Sequence, residues 1–300
     1  MKWAVSVSLG SSKRDTDQVI ELLGEQVRIE RRGVDGELAA ARALIRELDG
    51  QADAIGLGGI DLFVEWAGRR YTVREASYLA RAATRTPLVC GVGLKHTLER
   101  RTVELLEESV GWRGRRVLIT SAVDRFGLTE ALLQHQADVR FGDLAFMLGV
   151  PVFLRSPRVF DAVARTLAPL AVKLPFKWIY ATGSAQDKST TDERYARSYR
   201  WAEVIAGDWH TIRRYAPARM DGLTVLTNTT TRDDVAFLKS VGVARLVTTT
   251  PRYGGRSLAT NLLEAALVAV HGGRLAAQDY QRSLDAMAYR PTEIALDDAA

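Results

Sequence analysis

The apolar residues of the chain keep two rhythms. From Gly114 onward, short runs of Val, Ile and Leu alternate with segments whose apolar positions recur at helical spacing. The runs predict strands at Arg115–Ser121, Asp138–Asp143, Lys177–Thr182, Glu203–Asp208, Leu223–Asn228 and Arg245–Thr250, and a further run near Phe153 or Val172 makes six or seven. Helices are expected between them at Gly127–His135, Pro157–Leu167, Asp192–Trp201, His210–Tyr215 and Arg232–Val241. Strands alternating with helices form a parallel sheet covered on both faces, here a Rossmann-type doubly wound α/β sheet.

Residues 1–113 repeat the alternation on a smaller scale. Strands are expected at Trp3–Leu9, Gln26–Glu30, Ala54–Gly58 and Leu88–Gly91, with helices at Glu37–Leu48, Arg74–Ala83 and Thr97–Ser109. A hairpin is expected at Leu62–Val73 around Ala67-Gly68. The glycines and arginines of Gly111–Arg116 mark a boundary. The expected organisation is thus a small N-terminal α/β domain of substrate-binding type (1–113) and a Rossmann-like nucleotide-binding domain (114–257). The apolar helical stretches Leu258–Val270 and Ala276–Ala286 form a C-terminal part (258–300) that packs back on the first domain.

Composition sharpens the class. The 300 residues are 47% hydrophobic and 26% charged, a globular balance that excludes collagen-like, coiled-coil and disordered chains. A net charge of +5 is spread among acids along the chain, which predicts a small anionic partner and no nucleic acid. The opening apolar run breaks at Gly10 without a cleavage pattern, and no apolar run is long enough to span a membrane. Cys90 stands alone, so no internal disulfide forms, and no cluster of Cys and His marks a metal site. A cytoplasmic protein is expected, with self-association through its apolar last helices left open.

Ligands of open parallel sheets bind beyond the carboxyl ends of the strands. Those ends carry Ser121, Ala122, Arg125 and Gly127, then Thr182, His210, Thr227 and Asn228, and finally Thr249, Arg252 and Arg256. Hydroxyls and amides beside cations suit phosphate, carboxylate or ribose. Helix capping explains any single loop, whereas several on one edge favour a ligand site. The turn Thr120–Gly127 lacks the G-x-G-x-x-G fingerprint, which counts against ordinary dinucleotide binding. Asp143 counts in its favour. It lies roughly twenty positions after Ser121, where an acid binds the adenosine ribose and selects NAD over NADP. Capping of the next segment explains Asp143 equally well.

In the small domain Gly59 and Asp61 follow one strand, Lys95 and His96 follow another, and Ser11 and Ser12 lie in the first turn. Lys95 and Asp61 in one cleft make a proton relay for an alcohol/ketone couple, with His210 as a further acid–base candidate. A surface ion pair is the plainer alternative. Cys90, within an apolar strand, reads as a buried inert thiol.

The order of parts resembles the quinate/shikimate 5-dehydrogenase group: a small substrate domain, a Rossmann domain and returning C-terminal helices. The resemblance implies NAD or NADP as cofactor, Lys95 and Asp61 in the catalytic roles, and oxidation of a hydroxyl on a small carboxylated, polyhydroxylated ring. The cofactor would rest on Ser121, Ala122, Arg125, Gly127, Asp143, Thr182, Thr227 and Asn228. Ser11, Ser12, Gly59, Thr249, Arg252 and Arg256 would contact the anionic substrate. The alternative is a non-redox protein of the same architecture, a regulator or a transferase, that binds an anionic metabolite or nucleotide. The shape of the Ser121–Gly127 turn separates the two. If Asp124, Arg125 or Phe126 fills the pyrophosphate position, the dehydrogenase reading fails.

Overall fold

The computed structural model describes residues 1–175, 193–253 and 256–297, without the side chains of Tyr253 and Arg256. The strand expected at Lys177–Thr182, and Thr182 with it, lies outside the described residues. The chain forms two compact units. One comprises Met1–Thr97, Ala168–Gln186 and Ala259–Tyr289, the other Leu98–Leu167, Asp187–Leu258 and Arg290–Ala300. The division falls inside the helix Val92–Val110 and not at Gly111–Arg116, because apolar periodicity carries this helix through the point where the units part.

The first unit is built on β1 (Lys2–Ser8), β2 (Thr16–Leu22), β3 (Glu25–Gly33), β4 (Ala54–Gly58) and β7 (Leu88–Val89), in the order β2-β3-β1-β4-β7. All are parallel except β2, which returns on β3 as a hairpin edge. The polar face of β2 hides it from periodicity. Its turn, Leu23-Gly24, has both residues at positive φ, the geometry of a two-residue hairpin. The expected hairpin around Ala67-Gly68 forms as β5 (Phe63–Trp66) and β6 (Arg69–Thr72).

β1 and β4 alternate large and small side chains, and each kind meets a different layer. Val5, Val7, Ile55 and Leu57 share a core with Ile45 of α1 (Leu38–Leu48) and Leu79 of α2 (Arg74–Ala80). Ser6, Ser8, Gly56 and Gly58 lie on the other face, beneath the start of the Thr260–His271 helix. Asn261 Nδ2 of that helix donates to Ser6 Oγ at 2.6 Å. A Cβ on Gly56 would come within 2.6 Å of the Asn261 carbonyl, so the small face sets how closely the helix packs. The C-terminal helices therefore belong to the first unit, as expected.

The second unit begins in α3 (Val92–Val110), whose first turns belong to the first unit. Its sheet contains β8 (Arg116–Ile119), β9 (Asp138–Phe141), β10 (Val204–Ala206), β11 (Thr224–Thr227) and β12 (Arg245–Thr248) in parallel, ordered β9-β8-β10-β11-β12. β13 (Arg252–Tyr253) and β14 (Arg256–Ser257) pair with each other, and β15 (Thr292–Ala295), absent from the sequence expectation, adds antiparallel to β12. Order reverses between β8 and β10, the switch point where doubly wound sheets bind ligands.

Four helices follow these strands: α4 (Phe126–Gln134), α5 (Asp143–Phe146), α8 (Trp209–Tyr215) and α9 (Arg232–Ser240). α6 (Pro157–Ala171) and α7 (Glu193–Trp201) lie between β9 and β10 in the chain. Leu118, Ile205, Val225 and Leu246 pack with Tyr199, Trp209, Ile212 and Leu238 in one core. Neither Phe153 nor Val172 lies in a strand. Nearby Leu154 makes a single bridge to Phe141, and Val172 packs against the core of the first unit.

Candidate functional site

At the β8/β10 switch point the chain leaves β8 through Thr120-Ser121-Ala122-Val123. The Ala122 and Val123 amides donate to Asp143 Oδ2 and Oδ1, each at 3.0 Å. Burial pushes the Asp143 carboxyl up to about 6, against the opposing pull of those two amides. The bidentate carboxylate takes both amides of the turn, where a pyrophosphate would otherwise be held. Its role is thus to close the β8 turn from the start of α5.

Arg125 fills the end of the same turn. Its Nη1 donates to Glu99 Oε1 at 2.7 Å, its Nε lies 3.2 Å from Asp124, and its Nη2 donates to Asp208 Oδ2 at 3.3 Å. Burial disfavours the charge, but Glu99, Asp124 and Asp208 outweigh it and hold the guanidinium above its ordinary pKa. Glu99 also accepts the Leu128 amide of α4 at 3.3 Å.

Asp208 caps α8, accepting the His210 and Thr211 amides at 2.9 and 3.2 Å. Asn228 Nδ2 donates to Asp208 Oδ2 at 3.4 Å, while its Oδ1 accepts the Trp209 amide at 3.3 Å and the Thr227 hydroxyl at 3.2 Å. Between them Gly207 has φ +141°, and a Cβ there would lie 2.1 Å from Thr120 Oγ1. Thr120 Oγ1 and Ser121 Oγ are buried and have no hydrogen-bond partner among the described residues. Such groups are rare in folded proteins.

The rest of this edge is braced. Thr249 donates its amide to Thr227 O at 2.9 Å, and Arg252 Nη1 donates to Thr230 Oγ1 at 3.0 Å. Gly127 is buried in the first turn of α4. The Arg256 side chain lies outside the described residues.

In the first unit Lys95 Nζ meets Asp61 Oδ2 at 2.5 Å, with only 7% and 22% of the two side chains exposed. The sequence-level pairing thus forms, and it is more buried than a surface ion pair. His96 Nε2 lies 3.4 Å from Glu65 Oε2, and hydrogen bonding to His96, with Arg70, pulls the Glu65 carboxyl down to about 2. Burial pushes the Cys90 thiol up to about 12, an inert state.

The first-turn serines are used internally. Ser12 donates its amide and hydroxyl to Asp35, and Ser11 O accepts Arg31 Nη1 at 3.0 Å. Gly59 has φ +74°, and a Cβ there would lie 3.2 Å from the Gly10 amide nitrogen. His210, proposed alongside Lys95 and Asp61, lies in the other unit.

Sequence reasoning passes over Glu264, Asp208 and Glu99. Glu264 is buried. It accepts the Gly91 and Leu94 amides at the start of α3, at 2.5 and 3.2 Å, and the Tyr280 hydroxyl at 2.6 Å. A lone acid in the apolar stretch Leu262–Val270 was the available signal, since such a group is buried only with partners.

A family model described as "Domain of unknown function (DUF8754)" matches residues 93–296. The chain belongs to that family. A second model, "Domain of unknown function (DUF8753)", matches residues 3–90. No curated protein matches the chain.

Solved structures give distant likenesses. A sugar ABC transport substrate-binding protein from Bordetella parapertussis 12822 is 12% identical, covering 99% of this chain and 91% of that one, at a TM-score of 0.38. A periplasmic ribose ABC transporter protein from Conexibacter woesei DSM 14684 is 11% identical, covering 98% and 92%, at 0.40. The leucine-bound hetero-hexameric glutamate dehydrogenase of Thermus thermophilus is 14% identical, covering 96% and 73%, at 0.45.

These comparisons correct the expected likeness to quinate/shikimate 5-dehydrogenases, because the matched structures are mainly sugar-binding proteins of transporters. The NAD-linked oxidoreductase reading is corrected with it. The geometry gives the physical reason: Asp143 and Arg125 occupy the turn in which a dinucleotide pyrophosphate would sit.

Proposed function

We propose that the protein binds a small polar, hydroxyl-bearing metabolite without redox chemistry, at the β8/β10 switch point of the second unit. The observation that carries this reading is the split in hydrogen-bonding capacity at one strand tip. The backbone amides after β8 are taken by Asp143, while the hydroxyls of Thr120 and Ser121 lack partners among the described residues. At a strand tip it is such amides that hold a phosphate. An alcohol, which both donates and accepts, is served by the two hydroxyls, which follow directly on the end of β8.

A thermal-shift screen of the full chain tests this reading. Pentoses, hexoses and polyols at millimolar concentration should raise the melting temperature through linkage, and Ser121→Ala should reduce the rise. The reading fails if no polyol stabilises the chain, or if NADH stabilises it instead.

A further inference from the structure

We propose that the groove across the amino-terminal ends of β8, β10, β11 and β12 binds a small phosphate-bearing polyanion. This is the opposite end of the sheet from Ser121, and the site is independent of the polyol reading. The groove encloses ≈ 430 Å³, a volume suited to a small metabolite, and Arg115, Arg116, Arg200 and Arg245 line it.

Two acids, Glu203 and Asp221, share the lining with the four arginines. Glu203 is divided between Arg115 Nη1 at 2.7 Å and Arg116 Nε at 3.3 Å. Asp221 is turned to Arg219, which lies outside the lining, at 2.6 Å. Arg245 pairs with Glu293 and also donates to Ser109 Oγ at 2.9 Å. Arg200 pairs with Glu193.

Arg115 and Arg116 share one carboxylate, so the groove holds one guanidinium in excess. Arg115 Nε is buried with no hydrogen-bond partner among the described residues. Several guanidinium forks around one groove match the many oxygens of a phosphate better than the two of a lone carboxylate. The mild basic excess of the sequence thereby gains a second location, away from the strand tips.

Isothermal titration of the full chain with inorganic pyrophosphate tests the site. Binding should weaken about tenfold in Arg116→Ala and again in Arg200→Ala, one charge-assisted contact each. Both side chains are about half exposed or more, so the variants should fold as the parent does. Affinity should also fall steeply as salt rises. Ser121→Ala should leave pyrophosphate binding unchanged, which separates this site from the polyol site. The proposal is overturned if no heat of binding appears, if both arginine variants bind as the parent does, or if Ser121→Ala removes binding.

Discussion

Asp143 Oδ2 accepts the Ala122 amide at 3.0 Å, across the gap between the start of α5 and the end of β8. Its other oxygen takes the next amide, so a side chain of the protein stands where an anionic ligand would be held. Glu264 does the same for the Gly91 amide in the first unit.

Replacing Asp143 by Ala strands two buried amide donors, and should cost about 2–4 kcal/mol in urea unfolding at neutral pH. The pH dependence has a definite sign. The native carboxyl titrates near 6, above its unfolded value of 3.8, so the native state holds the extra proton between those values. Stability from this group is therefore greatest at acid pH and declines as pH rises from about 4 to 6. Unfolding of the parent and of Asp143→Asn at pH 5 and pH 7.5 checks it. The parent's advantage over Asn should be larger at pH 5, and an equal difference at both pH values would refute the assignment.

Gly207 and Thr120 should couple. Gly207→Ala places a methyl 2.1 Å from Thr120 Oγ1 on a backbone at φ +141°, and should destabilise by about 3 kcal/mol or more. Thr120→Ala removes a hydroxyl that has no partner among the described residues, and should cost much less. The double variant should recover part of the Gly207→Ala loss. Simple additivity in a double-mutant cycle would argue against the contact.

Arg125→Met leaves Glu99 buried without its 2.7 Å partner. Breaking a buried pair from one side costs about 3–5 kcal/mol, whereas the double variant Arg125→Met/Glu99→Gln should regain much of it. Chemical denaturation of the parent and the two variants measures both steps.

Lys95→Met strips Asp61 of an ion pair at 2.5 Å in a largely buried setting. A loss of about 1–3 kcal/mol is expected, more than an exposed pair would show. Raising salt from 0.1 to 1 M should change the parent's stability little through this pair, since a shielded contact is weakly screened. A loss below about 0.5 kcal/mol would return the pair to the surface class.

Much of the fold was legible because it rests on local period. Val117–Ile119, Val204–Ala206 and Val225–Leu226 lie in buried strands, and their uninterrupted apolar runs announce a parallel sheet. β2 and β15 escaped because each is an edge strand with one polar face. The Lys95–Asp61 pair was also legible, since both residues follow strands at a shared edge.

The sequence by itself determined the alternation of strands and helices, the polar strand tips and the helices that return to the first unit. Only the tertiary structure decided what those polar residues face. Asp143 has the spacing of a ribose-binding acid, but the close return of α5 on β8 puts its carboxylate on two backbone amides. Arg125 reads as a loop cation, yet Glu99 and Asp208, distant in sequence, draw it into the interior. Spacing records which groups a loop carries. Whether a group meets a ligand or its own chain depends on long-range packing, which sets the desolvation of each charge and the partner within reach.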